Sequence, residues 1–144
     1  MKFYITYFLY IFLVFGCSSS LEKKLHSHNM SLLTEIIEEH DNVMKNMSLI
    51  TSLENQLLNI NTKDSLISLS IKELKDSHES MMNFMKNFSD QFPYDSYPMN
   101  RKFEKENLDY YQNLNNKLII EKKKILLVAK QFDKAIDKAQ KLLN

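Results

Sequence analysis

The chain has 144 residues, 44% of them hydrophobic, with one glycine, two prolines and one cysteine, and Lys plus Arg stand at 19 against 18 Asp plus Glu. So even a charge balance offers no basic surplus for a phosphate backbone, which argues against nucleic acid as a partner. The lone glycine, Gly16, leaves no material for phosphate-cradling loops, dinucleotide fingerprints or type I′ hairpins, and whole classes of enzyme and β-architecture fall away together.

Residues 1–16 form a leader. Lys2 supplies a minimal positive start, and the apolar run 3–15 is too short to span a bilayer as a stable helix and ends in Val14-Phe15-Gly16-Cys17. A small residue directly before the only cysteine resembles the lipobox of bacterial lipoproteins, in which the thiol is lipidated and the chain is cut just before it. Phe15 departs from that pattern, where a small residue is usual. The resemblance implies a lipid on Cys17 and membrane attachment through it, since two or three acyl chains anchor a protein stably where one is marginal. An ordinary signal peptide ahead of a free thiol, or an uncleaved anchor, is the alternative. Cleavage removes Lys2, so the mature chain carries equal numbers of basic and acidic residues and has only packing, not disulfides, to hold one modest core.

Segment 17–30 has the composition of a tether, with Ser18-Ser19-Ser20 and a mixed-charge stretch in which His26 and His28 are expected to be solvated. As a coil it reaches on the order of 20 Å, which keeps the domain near its membrane.

The domain itself is expected over 31–144. A first helix is predicted for about 31–60, where Leu33, Ile36, His40, Val43, Met47, Ile50, Leu53 and Leu57 follow a three-four spacing with the charged residues off that seam. Asn59, Asn61 and Thr62 interrupt the pattern, and Asp64 is a good N-cap for a second helix over about 65–88. Its predicted seam is Ile67, Ile71, Leu74, His78, Met81, Met85 and Phe88. Pro93 and Pro98 mark a loop over 89–100, whose Phe92, Tyr94 and Tyr97 either cap the end of the bundle or present an aromatic contact to a partner. A third helix is predicted for about 102–143 with seam Tyr111, Leu114, Leu118, Ile125, Val128, Phe132, Ala135, Ala139 and Leu142, and Glu121 in its one polar place. The lysines at 122–124, 130, 134, 138 and 141 lie on its outer side. The expected fold is all-α: an up-down-up three-helix bundle, or long hairpin plus third long helix, with coiled-coil character. A third helix longer than its partners leaves surplus seam, which makes a homodimer through it an open possibility.

One phrase occurs twice. Residues 40–47 read His-Asp-Asn-Val-Met-Lys-Asn-Met and residues 78–85 read His-Glu-Ser-Met-Met-Asn-Phe-Met, and on a helix each His and its Mets share one flank. Folding the hairpin about residue 62 turns the two patches toward each other. Three readings follow. His40, Met44, Met47, His78, Met82 and Met85 are a candidate soft-metal site for Cu(I), because thioethers stay available in an oxidising compartment and neutral imidazole completes a cage. The same residues are ordinary core under the second reading, with methionine as gap-filler and the histidines setting register, and no cofactor is then required. Under the third, a methionine-rich surface contacts a protein partner.

No catalytic constellation is visible. The acids beside the two histidines point off the seam, no Ser or Cys nucleophile has a base at helical spacing, and no Glu-x-x-His pair of a di-iron bundle is present.

With its lipobox, the run His40-Asp41-x-Val43-Met44-x-x-Met47-x-x-Ile50, Asp64-Ser65-Leu66, Met81-Met82-x-Phe84-Met85-x-x-Phe88 and a lysine-rich closing helix, the chain resembles a family of small uncharacterised lipoproteins of Bacteroidetes-type bacteria often labelled "viral A-type inclusion protein". The resemblance spans most of the mature chain and implies a helical, lipid-anchored, non-enzymatic protein of the cell envelope. Ser18-Ser19-Ser20 lacks the acidic run associated with surface display in such bacteria, so the expected place is the periplasmic face of the outer membrane, beside an envelope protein partner the sequence does not name.

Overall fold

The computed structural model describes residues 20–60, 64–93, 103 and 108–144. They form an all-α bundle of three helices, the first of them bent. The bent helix consists of α1 (Leu21–Met44) and α2 (Met47–Leu58), followed by α3 (Ser65–Gln91) and α4 (Leu108–Leu143). No described helix is long and apolar enough to cross a membrane.

Helix α1 starts ten residues earlier than its apolar period suggests, so the expected tether is mostly helix. Ser20 caps it, its side chain accepting from the Lys23 amide at 3.4 Å, and Glu22 in the first turn complements the dipole. The bend falls at Lys45 and Asn46. There the Asn46 amide donates to the Val43 carbonyl at 2.9 Å, a three-residue step that tightens the ladder before α2 resumes. Asp64 caps α3 as its sequence position suggests, its carboxylate accepting from the Leu66 amide at 2.7 Å.

The cross-helix bonds give the topology. Asn29 meets Tyr111 and Asn115, and Glu35 meets Lys122, so α1 runs parallel to α4. Ser80 and Ser77 meet Gln131, and Glu73 meets Lys138, so α3 runs antiparallel to it. Helix α4 packs against all three others and α2 closes on α3, while α1 and α3 approach closely at few points, their shared core holding the large side chains Met81, Phe84, Phe88 and Phe92. The 24 residues of α1 and 12 of α2 together match the 36 of α4, about 54 Å at the helical rise. Helix α4 therefore has no unmatched length, and its seam from Tyr111 to Ala139 is buried within the one chain.

The seams of the first and last helices fall where their periodicity places them, Glu121 included. That of α3 is shifted by part of a turn: Leu74, Met81 and Phe88 are buried as expected and Ile67, Ile71 and Met85 pack at the core's edge, while Ser70, Ser77 and Phe84 are buried beside them and His78 is exposed. Two serines make this possible. Ser77 returns its hydroxyl to the Glu73 carbonyl at 2.7 Å, and both it and Ser70 are fully buried, small enough for α4 to pack closely against them. Phe92, for which a cap of the bundle and a partner contact were both open, is only 6% exposed and packs on Phe88 in a tilted pair at 4.9 Å between ring centroids.

The rotated seam makes a discriminating pair of substitutions. Ser77→Leu forces extra volume into the α3–α4 contact and is expected to cost roughly 1–3 kcal/mol, whereas His78→Leu, on the exposed side, changes stability by no more than about 0.5 kcal/mol. Urea unfolding of the two variants measures both.

Candidate functional site

The first His/Met phrase straddles the bend between α1 and α2, and the second lies in the middle of α3. His40 is the half-buried member that the chain treats specially. Its Nδ1 lies 3.0 Å from the Asp41 carboxylate, and its Nε2 is buried with no hydrogen-bond partner. Asp41 thus does point at the imidazole, contrary to the expectation that it turns away. Such a pair fixes the ring and directs the free nitrogen inward, as a carboxylate does for a ligating histidine.

The other expected ligands do not join it. His78 is exposed, Met44 and Met82 are 41% and 55% exposed, and Met47 and Met85 are half-buried on the edge of the core. The fully buried methionine is Met81, which was not among the candidates. The six candidates therefore differ in setting: His40, Met47 and Met85 are partly buried at the edge of the core, and Met44, His78 and Met82 are exposed. Among the described residues no group of three or more His, Cys, Asp and Glu side chains is placed to hold a metal ion. Cys17, Tyr94 and Tyr97 lie outside the described residues.

Three polar features that periodicity did not single out, or did not explain, lie along α1 and α4. Asn29 is completely buried; its Nδ2 donates to the Tyr111 carbonyl at 3.0 Å and its Oδ1 accepts from Asn115 Nδ2 at 2.8 Å. A signal for it existed, since Leu25, Asn29, Leu32 and Ile36 continue the three-four spacing of α1 toward the N-terminus. One turn earlier, His26 packs against Phe103 and Tyr111 with ring centroids at 5.5 and 5.6 Å, so it is part of an aromatic cluster and not a solvated tether residue. Glu121 is 1% exposed in the α4 seam; its Oε1 accepts from Lys124 Nζ at 2.7 Å, and its Oε2 is without a hydrogen bond.

A half-open groove of about 240 Å³ runs between α1 and α4, lined by Glu35, Glu38, Glu39, Asn42 and Lys122 over Ile125 and Leu126. The Lys122 ammonium, hydrogen-bonded to Glu35, holds that carboxyl below the usual carboxylate range. Nothing in the groove pairs a nucleophile with a base. It is a polar seam between two parallel helices.

Comparison of the chain with protein-family models, with curated proteins and with solved structures finds no match. The class rests on the fold itself, a three-helix all-α bundle.

Two measurements follow from the buried polar groups. Replacing Glu121 with Leu removes a buried carboxyl whose Oε2 has no hydrogen bond, together with the Lys124 contact, and is expected to raise the thermal midpoint; a fall would mean that the Lys124 contact outweighs the burial. Lys122→Ala is expected to bring the Glu35 pKa up toward its ordinary value, followed by carboxyl NMR titration. A carboxylate held low adds stability above its unfolded pKa and loses it as pH falls through the folded value, so this contribution, small at so exposed a pair, disappears on acidification.

Proposed function

We propose that this chain is a lipid-anchored protein of the bacterial envelope that acts by contact, as a structural or interaction module, and not as an enzyme. The observation that carries the reading is the position of the first helical turn. Only three residues separate Cys17 from Leu21, where α1 begins under its Ser20 cap. A lipid on Cys17 would thus be joined almost directly to a rigid element docked along α4, and the bundle would be held at the membrane as one body instead of swinging on a coil. The periplasmic face of the outer membrane is the proposed location, following from the lipobox and the absence of an acidic run in Ser18-Ser19-Ser20.

A contact role agrees with the chemistry available. The histidine with a carboxylate partner, His40, turns its other nitrogen into the core, away from any substrate. The described grooves are half-open and lined by charged side chains over leucine, isoleucine or alanine. Soft-metal binding loses support with the dispersal of the His/Met residues and is not retained as a second reading.

Metabolic labelling with an alkyne fatty acid in a lipoprotein-processing host tests the anchor. The wild-type chain is expected to take up label, lose its first 16 residues and fractionate with membranes, and Cys17→Ser is expected to be unlabelled and uncleaved at that site. A wild-type chain recovered unlabelled with a free thiol would overturn the reading.

A further inference from the structure

The outer face of α4 carries a pattern that the bundle does not use. With Tyr111, Leu118, Ile125, Phe132 and Ala139 buried, Lys123, Leu127, Lys130, Lys134, Asp137 and Lys141 stand exposed at four-three spacing in one stripe about 27 Å long, whose later part, Lys134, Asp137 and Lys141, borders a groove shared with Leu66 of α3. Leu127 is 66% exposed, and Ile120 and Leu126 flank the stripe at 51% and 47%. The lysines of α4 that face the neighbouring helices, Lys122 and Lys138, are paired with Glu35 and Glu73, and Lys124 is paired with Glu121. Lys123, Lys130, Lys134 and Lys141 are in no ion pair among the described residues.

The charge is also segregated. Helix α4 holds eight lysines against four acids, one of which is the buried Glu121, while α1 holds five acids against two lysines. A chain that is neutral as a whole therefore shows a cationic face along one helix.

Large exposed aliphatic groups set among unpaired ammonium groups on a convex helix do not suit most partners. A second copy or a partner helix would need a continuous apolar seam, and four of the six stripe positions are lysine, which in a self-contact would meet their own kind. Duplex nucleic acid would accept the lysines but has no place for Leu127 and Ile120. The interface of an anionic bilayer takes both, since alkyl groups enter the boundary of headgroup and acyl chain while lysine stems extend along it and leave their charge among the phosphates.

We infer that the outer face of α4, centred on Lys123, Leu127, Lys130 and Lys134, is a docking surface for an anionic phospholipid membrane, on which the bundle lies along its length. The surface acts through its own side chains and does not depend on a lipid at Cys17. Where such a lipid is present, the membrane is already close and a weak contact is enough to orient the bundle.

The test uses the chain from Ser18 onward, which contains every described helix and no anchor, so its result is independent of lipidation. Co-sedimentation with vesicles of phosphatidylcholine alone is compared with an equimolar mixture of phosphatidylcholine and phosphatidylglycerol. Binding is expected only to the mixed vesicles and is expected to weaken with added salt. Each of Lys123→Gln, Lys130→Gln, Lys134→Gln and Lys141→Gln should lower the partition coefficient about five-fold, the equivalent of ~1 kcal/mol per basic residue at an anionic surface. The same exchange at the exposed lysines 23, 24, 45 and 86 should have much less effect. Leu127→Ser is expected to weaken binding to vesicles while leaving any binding to heparin or duplex DNA unchanged. Circular dichroism of each variant checks that the bundle is intact. Equal binding to both vesicle types, equal losses for the two lysine sets, or indifference to Leu127→Ser would each overturn the proposal.

Discussion

A buried asparagine ties the first helix to the last, and much of the molecule follows from that tie. Removing the Asn29 amide from water without compensation would cost about 1–3 kcal/mol. The structure compensates for it at both ends: the nitrogen donates to the Tyr111 carbonyl and the oxygen accepts from Asn115. An apolar pair would tolerate a slip of one turn between parallel helices, whereas this bond set is satisfied in one register. With that register set, Glu35 falls opposite Lys122 and the first turns of α1 lie along the start of α4.

Helix α4 is then enclosed on both flanks. On one, α1 runs parallel with its polar seam; on the other, α3 runs antiparallel with Ser70 and Ser77 allowing close packing. The bend at Lys45 and Asn46 lets a single apolar stripe serve both neighbours, α1 turned to α4 and α2 closing against α3 as well. Because both flanks are used within the chain, what remains of α4 for the outside is its lysine face. The same packing disperses the His/Met phrases. Their repetition reflects two helices of similar period, each burying a different subset of its phrase: Val43 in one copy, Met81 and Phe84 in the other.

The helical class, the three-part order and the seams of the first and last helices were legible because their core residues are aliphatic or aromatic at strict spacing. Glu121 was visible as the polar member of a seam for the same reason. Misreadings fell where polar residues do the work of core. Asn29 hid the start of α1, since a serine run followed by mixed charge has the composition of a tether, and its bonds to Tyr111 and Asn115 with the His26 ring contacts are what dock the helix there. Ser70 and Ser77 hid the face of α3, because a serine is small enough to pack in a core while its letter counts as polar; Ser77 bonds its own helix carbonyl, and the Ser70 hydroxyl is buried without a hydrogen bond. Exchanging the flank at 71, 78 and 85 for 70, 77 and 84 while Leu74, Met81 and Phe88 stay buried turns the face by only part of the roughly 100° between successive residues, yet enough to leave His78 in solvent. Phe92 was legible as a cap of the bundle or as a contact, and it is buried against Phe88.

Function is less legible than fold, because the proposed lipid anchor and contact surface would leave no catalytic pattern to find. The central structural claim is that α1 is docked helix from its first turns and not a flexible tether, and amide hydrogen exchange over residues 21–33 tests it most directly. Docking against α4 predicts that the amides from His26 through Leu33 are slowed by orders of magnitude relative to an unfolded chain, approaching the protection of their neighbours in α4. Exchange at unfolded-chain rates up to residue 30, with protection beginning only beyond it, would contradict the account and restore the tether.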